Sequence, residues 1–325
     1  MVDSISSMGI RLSCTNLLVG GQDLLSKLST QLATGRYSDN MTDYTSSDAQ
    51  KLMNFTSEVN VQNGFLEVIS AISPRMEMYE LAFEGIEDTV GDVYTSITSS
   101  STYTETTNES LRNQILSAMD QVEYFLNMQV GGRYLFSGAR YDEAPVGDLE
   151  ALPILTTTST PVIATGNEVA DYDIDYDALD PTAAVPEANT RESANIDTTK
   201  ELTYGTNSNE EAFQQVILGL RYALAATYDS TNYQDLMSTA KTYLDDGLSG
   251  VRGLHTDSTN AYATLKKAKD TINTKINQLE TQVDSIESVD INEVSIKITA
   301  YQAQLEASYS AVSKIINLSI LDYLS

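Results

Sequence analysis

Hydrophobic residues recur at alternating spacings of three and four near both ends of the chain, and the middle lacks this pattern. The C-terminal stripe begins with Ile272, Ile276, Leu279, Val283 and Ile286, and after one break it continues with Val294, Ile298, Tyr301, Leu305, Val312 and Ile316. The N-terminal stripe consists of Ile10, Cys14, Leu17, Gly21, Leu24 and Leu28. Such spacing is typical of the helix seam that coiled coils and helix bundles bury. We therefore predict that the two terminal segments are helices that pair with each other.

Start and stop signals divide the first half of the chain into three predicted helices. The first runs from about Ile5 to Ala33 and ends at Gly35, and a loop follows to Ser47. The second begins near Asp48 and continues through Ile97, with Pro74 expected to bend or split it. The third is predicted to begin at Asn108 as its N-cap and to end at Gly131-Gly132.

The second half of the chain returns to a helical pattern after a change of composition. Five of the six prolines lie between about Arg140 and Thr206, where the heptads vanish and short β-rich runs such as 161–164 appear. Asn209 is the expected cap of the next helix, and one long helix is predicted from Tyr233 to Ile286. Asp290 and Glu293 have the spacing of a capping box, so a final helix should start there.

These elements predict a mainly α fold with a β-rich insertion. We expect an elongated antiparallel helical bundle or coiled coil that is built from both termini. Residues 1–35 and 290–325 would form the terminal coiled-coil domain, and residues 36–139 and 207–289 a helical rod domain. Residues 140–206 would form a small β-rich outer domain.

Composition restricts the class of partner. The chain has 46 acidic residues against 19 Lys plus Arg, for a formal net charge of −27. This balance argues against binding to a phosphate backbone, so no nucleic-acid partner is expected. It favours a soluble, self-repelling monomer whose assembly depends on salt. No stretch is apolar enough to span a membrane, and residues 1–13 lack the pattern of a cleavable secretory signal.

Few residues carry recognisable catalytic or metal-binding chemistry. Cys14 is the only cysteine, which excludes an intrachain disulfide and a cysteine-based zinc site, and we interpret it as a small buried hydrophobe. His255 is the only histidine, and we interpret it as a solvated or packing side chain in a helix. A catalytic carboxylate pair is not excluded by counting, although no spacing indicates one. We predict no catalytic, cofactor-binding or metal-binding residues, and hence a protein that is not an enzyme.

The segment 171–177 alternates Asp with Tyr and Ile. Calcium is one interpretation, because it binds several carboxylate oxygens. The EF-hand spacing fails, however, since Tyr176 stands where the loop needs Gly and Thr182 where it needs Glu. A strand with Asp173 and its neighbouring aspartates on the solvated face is the favoured interpretation.

A second segment combines glycines and aromatics: Gly132, Arg133, Tyr134, Leu135, Phe136, Ser137 and Gly138. It could be a ligand loop. The favoured interpretation is a tight turn from a helix into a short strand whose aromatic side chains pack on the helical rod.

This segment, followed by Ala144-Pro145-Val146, resembles the segment that leaves the helical core in the flagellin superfamily, and it is most similar to the hook-filament junction proteins. Similar matches occur at 28–36, 286–290, 303–309 and 318–324. Together the matches cover both terminal regions. Two features depart from the family pattern: residues 38–43 replace a Ser-Asp-Asp-Pro type of loop, and Pro74 lies in a core helix.

The resemblance implies an extracellular structural subunit of the bacterial flagellum, exported unfolded through the flagellar type III channel on an uncleaved N-terminal signal. Its implied partners are further copies of itself in a head-to-tail assembly, another hook-associated protein, flagellin and an export chaperone. A filament flagellin is the alternative, and a coiled-coil surface adhesin a more distant one. We also expect that residues 1–35 and 290–325 are poorly ordered in the free subunit and fold on docking.

Overall fold

The computed structural model describes residues 2–100, 102–138, 142, 144–159 and 191–324, with side chains at 9, 12, 13 and 15–314 within these ranges. Its helices are α1 (Val2–Thr34), α2 (Ser46–Ser99), α3 (Glu105–Leu126), α4 (Glu211–Tyr228), α5 (Tyr233–Glu287) and α6 (Ile291–Leu324), with a short 3-10 helix at Met41–Asp43. Its strands are β1 (Gln129–Val130), β2 (Arg133–Tyr134), β3 (Ser193–Asn195) and β4 (Glu201–Thr203). The predicted fold class, mainly α with a small β part, is confirmed.

The chain divides into two compact units. The first contains Met1–Val61 and Lys275–Ser325, and the second contains Gln62–Thr274. In the first unit α1 packs on α6. In the second unit α4 is buried along almost its whole length, because apolar side chains occur on every side of it. The finer division with an outer domain at 140–206 stays a prediction.

The two strand pairs are antiparallel hairpins. In the first, Val130 pairs with Arg133 across a loop of two residues, Gly131 and Gly132. Both glycines have positive φ, 62° and 79°, as the central positions of a type I′ turn require. The prediction that these glycines end a helix is therefore wrong: α3 ends at Leu126, and the glycines turn one strand into the next.

Helix α2 is continuous through Pro74, so the expectation that this proline splits the helix is wrong. Its ring removes one backbone donor, but Ile72 and Met76 on either side are buried in the core, at 5% and 0% exposure. The free energy of this burial outweighs the loss of a hydrogen bond. The prediction of an N-cap at Asn108 is also wrong, because α3 begins at Glu105 and Asn108 is buried within it.

The long helix and the final helix agree with their sequence signals. Helix α5 runs without a break for 55 residues. Before α6, the carboxylate of Asp290 accepts hydrogen bonds from the backbone N–H of Asn292 at 2.8 Å and of Glu293 at 3.3 Å. This is the capping role predicted for Asp290. Helix α4 has Glu210 rather than Asn209 as its N-cap.

Within the predicted β-rich insertion, the described residues contain one hairpin, β3 paired with β4. Its strands are three residues long. Residues 144–159 are described without strands. The candidate calcium segment 171–177 and the run 161–164 lie outside the described residues.

Candidate functional site

The terminal helices α1 and α6 form an antiparallel pair in the first unit. The side-chain amide Nε2 of Gln22 on α1 donates to the hydroxyl oxygen of Tyr309 on α6 at 2.5 Å. One residue before Gln22, a Cβ atom added to Gly21 would lie 2.7 Å from Leu305 Cδ2. The small residue at position 21 therefore lets α6 approach α1 closely.

The ten predicted seam residues differ in burial. Leu28, Val294 and Leu305 are buried. Leu24, Ile298, Tyr301 and Val312 are half-buried, and Leu17 is 72% exposed. The side chains of Ile10 and Ile316, like that of Cys14, lie outside the described part of the chain. The role of these ten residues as a subunit interface stays a prediction.

Large apolar side chains remain exposed on this helix pair. Besides Leu17 they include Leu12, Val19, Ile291, Ile296 and Tyr309, and Ile296 is 71% exposed. Sequence periodicity missed most of these residues, because they lie beside the stripe rather than on it. Covering one such side chain contributes about 1.5–3 kcal/mol. The pair thus has the apolar surface that association of subunits requires.

The loop after α1 is joined to the break between α5 and α6. The backbone N–H of Tyr37 donates to the carbonyl of Glu287 at 2.6 Å, and that of Val289 donates to the carbonyl of Gly35 at 3.0 Å. Arg36 forms an antiparallel bridge with Ser288. Gly35 has a φ of 71°, which its lack of a Cβ permits. Backbone hydrogen bonds therefore join the turn after α1 to the turn between α5 and α6, although the two turns are distant in sequence.

Side chains also hold the loop at 38–44, where the sequence departs from the family pattern. The carboxylate of Asp43 accepts hydrogen bonds from Ser38 Oγ at 2.6 Å and from Lys27 Nζ at 3.1 Å. These bonds from Ser38 and Lys27 lower the pKa of Asp43. Tyr44 donates its hydroxyl to the Ser38 carbonyl at 2.7 Å, and its ring lies 5.3 Å from that of Tyr37. The replacement loop is thus internally bonded.

The motif segment Gly132 to Gly138 lies in the second unit, where its second half is buried. The ring of Phe136 meets the rings of Tyr79 and Phe213 edge-on, at 5.1 and 5.6 Å between centroids. Tyr79 donates its hydroxyl to the carbonyl of Leu135, and burial raises the pKa of this hydroxyl. Ser208 donates its N–H to the carbonyl of Phe136 at 2.8 Å. These aromatic contacts and hydrogen bonds anchor the chain as it leaves α3.

An ion pair that the sequence did not indicate lies beside this motif. The guanidinium of Arg75 donates to both carboxylate oxygens of Glu192 at 2.8 Å and to the carbonyl of Tyr134 at 3.3 Å. The two side chains are only 10% and 17% exposed. Burial raises the pKa of Glu192, against the opposing effect of Arg75. No spacing signal could reveal this pair, because 117 residues separate its members.

His255 packs its ring on Phe83 at 5.5 Å between centroids and hydrogen-bonds Glu87 and Glu80. This is a packing histidine that also forms ion pairs.

Among the described residues, no group of three or more His, Cys, Asp or Glu side chains is placed to hold a metal ion. None of the described helices combines the length and apolar character that crossing a bilayer requires.

Comparison with known proteins adds a family match for the C-terminal region. Residues 256–324 match the model of the bacterial flagellin C-terminal helical region. The match takes in the end of α5 and all of α6. The comparison with curated proteins found no match.

A solved structure shares the fold at low sequence identity, and a second one aligns more weakly. A structure described as that of a flagellar hook-associated protein from Vibrio parahaemolyticus aligns with a TM-score of 0.56 and 13% identity, over 74% of this chain and 98% of that one. Bacillus cereus FlgL aligns over 74% of this chain and 100% of its own, with 13% identity and a TM-score of 0.43. The C-terminal region is thus flagellin-like, and these findings favour a structural protein over an enzyme.

Proposed function

We propose that this chain is a structural subunit of the bacterial flagellum and acts as an axial protein at the junction between hook and filament. The observation that carries the proposal is the antiparallel α1–α6 pair, whose exposed apolar side chains include Leu17 and Ile296. The flagellin match over 256–324 supports it, because that region contains one helix of the pair. The fold shared with the Vibrio parahaemolyticus hook-associated protein supports it in a general way.

In this proposal the subunits associate head-to-tail. An assembly that extends along an axis cannot close as a two-fold dimer does, so two different surfaces of each subunit must meet. The exposed apolar side chains of α1 and α6 would be covered by neighbouring copies. Flagellin and another hook-associated protein would be the neighbours at the two ends, and an export chaperone would cover the same helices before secretion through the flagellar channel.

The family match also favours a second candidate, a flagellin of the main filament. The two functions predict different assemblies of the purified protein. We expect the junction protein to stop at short rings unless flagellin is added above it, whereas a filament subunit would grow into long tubes after seeding. Electron microscopy under polymerising conditions separates these results. A discrete small oligomer, together with normal motility after gene deletion, would contradict both functions and indicate an adhesin.

Coupled folding of the terminal segments is a further part of the proposal. Among the described side chains of α1 and α6 few are completely buried, so docking would add much of the free energy that orders residues 1–35 and 290–325. We expect helicity to rise and protease cleavage near both termini to slow when the protein assembles. Circular dichroism and limited proteolysis of monomer and assembly measure this. Equal protection in both states would contradict it.

A further inference from the structure

Lysine side chains line a groove beside the β3–β4 hairpin in the second unit. Lys200 lies at the end of the turn between the strands, and Lys267 lies on α5. Both line a groove of about 320 Å³ whose other lining residues are Ile196, Asp197, Thr264, Ala268, Thr271 and Ile272. Lys266 and Lys269 lie on the same turn of α5 as Lys267 and are exposed. We call this surface the basic groove.

The lysines of the basic groove have no carboxylate partners among the described residues. Across the described residues, no carboxylate lies within 4.0 Å of the ammonium groups of Lys200, Lys267 or Lys269. By contrast, Lys275 has Glu58 at 2.7 Å and Lys297 has Glu293 at 2.7 Å. In a chain with a net charge of −27, these lysines thus have no carboxylate partner among the described residues. Their charge is available to an external anion.

A group of carboxylates forms the complementary surface. Asp120 and Glu123 lie on α3, and Asp148 and Glu150 lie in the loop that packs on it, where Glu123 accepts the N–H of Leu149 at 3.1 Å. Burial raises the pKa of Glu150, and the charges of Asp120 and Asp148 raise it further. No Lys or Arg of the described residues lies within 4.0 Å of these four carboxylates. We call this surface the acidic corner.

The two surfaces are too far apart to neutralise each other within one subunit. Helix α5 contacts α2 where the hydroxyl of Tyr262 donates to a carboxylate oxygen of Glu77 at 2.6 Å. Helix α3 contacts α2 where the hydroxyl of Thr89 donates to the amide oxygen of Gln121 at 3.3 Å. These two contacts are twelve residues apart on α2. Lys267 lies about one helical turn beyond Tyr262 on α5, on the side away from Thr89. At 1.5 Å per residue the basic groove and the acidic corner are offset by about 25 Å along α2. Salt screens charges over about 8–10 Å.

We propose that the basic groove of one subunit receives the acidic corner of a second copy of this chain. The proposal rests on the proposed function, which requires contact between two different surfaces of identical subunits. Charge complementarity fits this occupant. In the described part of each copy, Lys200 and Lys267 of the groove, which Asp197 also lines, have no carboxylate within 4.0 Å, and the four carboxylates of the acidic corner have no Lys or Arg within 4.0 Å. The contact lies outside the terminal helices and therefore adds a second point of attachment that fixes the orientation of neighbouring subunits.

Charge reversal on each surface tests the proposal. The variants are K200E/K267E in the basic groove and D148K/E150K in the acidic corner, with K241E as the control for a charge change elsewhere on α5. Association of each is measured at low salt by sedimentation velocity and electron microscopy. We expect each double variant alone to associate at least tenfold more weakly than the wild type, the equimolar mixture of the two to recover association, and K241E to match the wild type.

The outcomes separate this proposal from the proposed function. Failure of the wild-type protein to associate at all would contradict the proposed function. Normal association of K200E/K267E, or weakening of K241E by the same factor, would overturn the charge contact and leave the proposed function intact. Loss of motility with unchanged self-association would indicate another anionic partner and would also overturn it. Where circular dichroism shows that a reversal variant is misfolded, K200Q/K267Q is measured instead, with a smaller weakening expected.

Discussion

The imidazole Nδ1 of His255 lies 2.7 Å from a carboxylate oxygen of Glu87 and so joins α5 to α2. Its Nε2 lies 3.2 Å from Glu80 on the same helix. Arg252 approaches Glu87 at 3.6 Å, and the ring of Phe83 covers one face of the imidazole. A single histidine thus lies between two carboxylates that lie two turns apart on α2.

This geometry predicts a pH-dependent stability. Burial lowers the pKa of His255, but the hydrogen bonds to Glu87 and Glu80 and their charges outweigh this effect, so the pKa is raised above 6.5. A raised pKa in the folded state stabilises the protein fully below pH 6.5, and this contribution disappears as the pH rises through the raised value. We expect H255Q to lose this pH dependence and about 1–2 kcal/mol of stability at pH 6. Denaturant unfolding across pH 5.5–9 measures it.

Because the chain has one histidine, its imidazole signal can be followed directly by NMR. We expect E87Q to lower the pKa of His255. The matched control is E77Q, since Glu77 bonds Tyr262 and is not bonded to the imidazole. A wild-type pKa below 6.5, or equal shifts in E87Q and E77Q, would contradict the ion-pair account.

Arg75 and Glu192 allow a double-mutant test of a buried ion pair. R75M leaves the carboxylate of Glu192 in the interior without its partner, and we expect it to lower the free energy of unfolding by about 3–5 kcal/mol. R75M/E192M removes both charges and should recover most of this loss. Urea unfolding of the wild type, both single variants and the double variant measures the coupling. A double variant as unstable as R75M would show that the lost packing, not the unpaired charge, is responsible.

The sequence predicted the helices better than their boundaries, and physical reasons explain the difference. Helix α5 and the cap at Asp290 were predictable because periodicity and capping are local signals. Asn108 looked like a cap, but the fold buries it within α3. Gly131 has the sequence signal of a helix stop, but the pairing of Val130 with Arg133 places it in the turn of a β-hairpin. In these two cases tertiary packing and strand pairing prevail over a local signal.

The candidate surfaces were less predictable than the helices. Periodicity selects the residues that two helices bury between them, so it found Leu28 and Leu305. Exposed apolar residues such as Ile296 lie off that stripe and need the structure to be recognised. The basic groove combines Lys200 with Lys267 across 67 positions of sequence, a distance at which no local pattern acts.

Two glycines of α5 should respond in opposite ways to the same substitution. A Cβ at Gly247 would lie 2.8 Å from the backbone nitrogen of Val216 on α4, whereas nothing lies within 4 Å of one at Gly253. Backbone atoms do not yield as a flexible side chain does. We therefore expect G247A to destabilise the protein by about 1–3 kcal/mol through overpacking.

G253A is the control, and we expect it to stabilise the protein by up to about 1 kcal/mol because alanine favours helix over glycine. Thermal and urea unfolding of the two variants give the comparison. Stabilisation by G247A would contradict the prediction, because it would mean that α4 and α5 leave room for a methyl group at position 247.

The exposed apolar side chains of the terminal helices should affect assembly more than monomer stability. Leu17 and Ile296 are 72% and 71% exposed, so L17S/I296S removes little buried surface from the monomer. We expect its melting temperature to stay within about 2 °C of the wild type, since surface substitutions change stability by less than about 0.5 kcal/mol. Association should weaken by at least tenfold, because covering two such side chains contributes about 3 kcal/mol or more.

Two further variants make this last prediction specific. L81S changes an apolar residue of α2 that is 49% exposed, and it should associate as the wild type does. L28A removes side-chain atoms that are buried when α1 is ordered, and it should lower the melting temperature of the assembled protein, since leucine truncation in a core costs about 2–5 kcal/mol. If L17S/I296S and L81S weaken association equally, the apolar surface of the α1–α6 pair is not the one that holds subunits together.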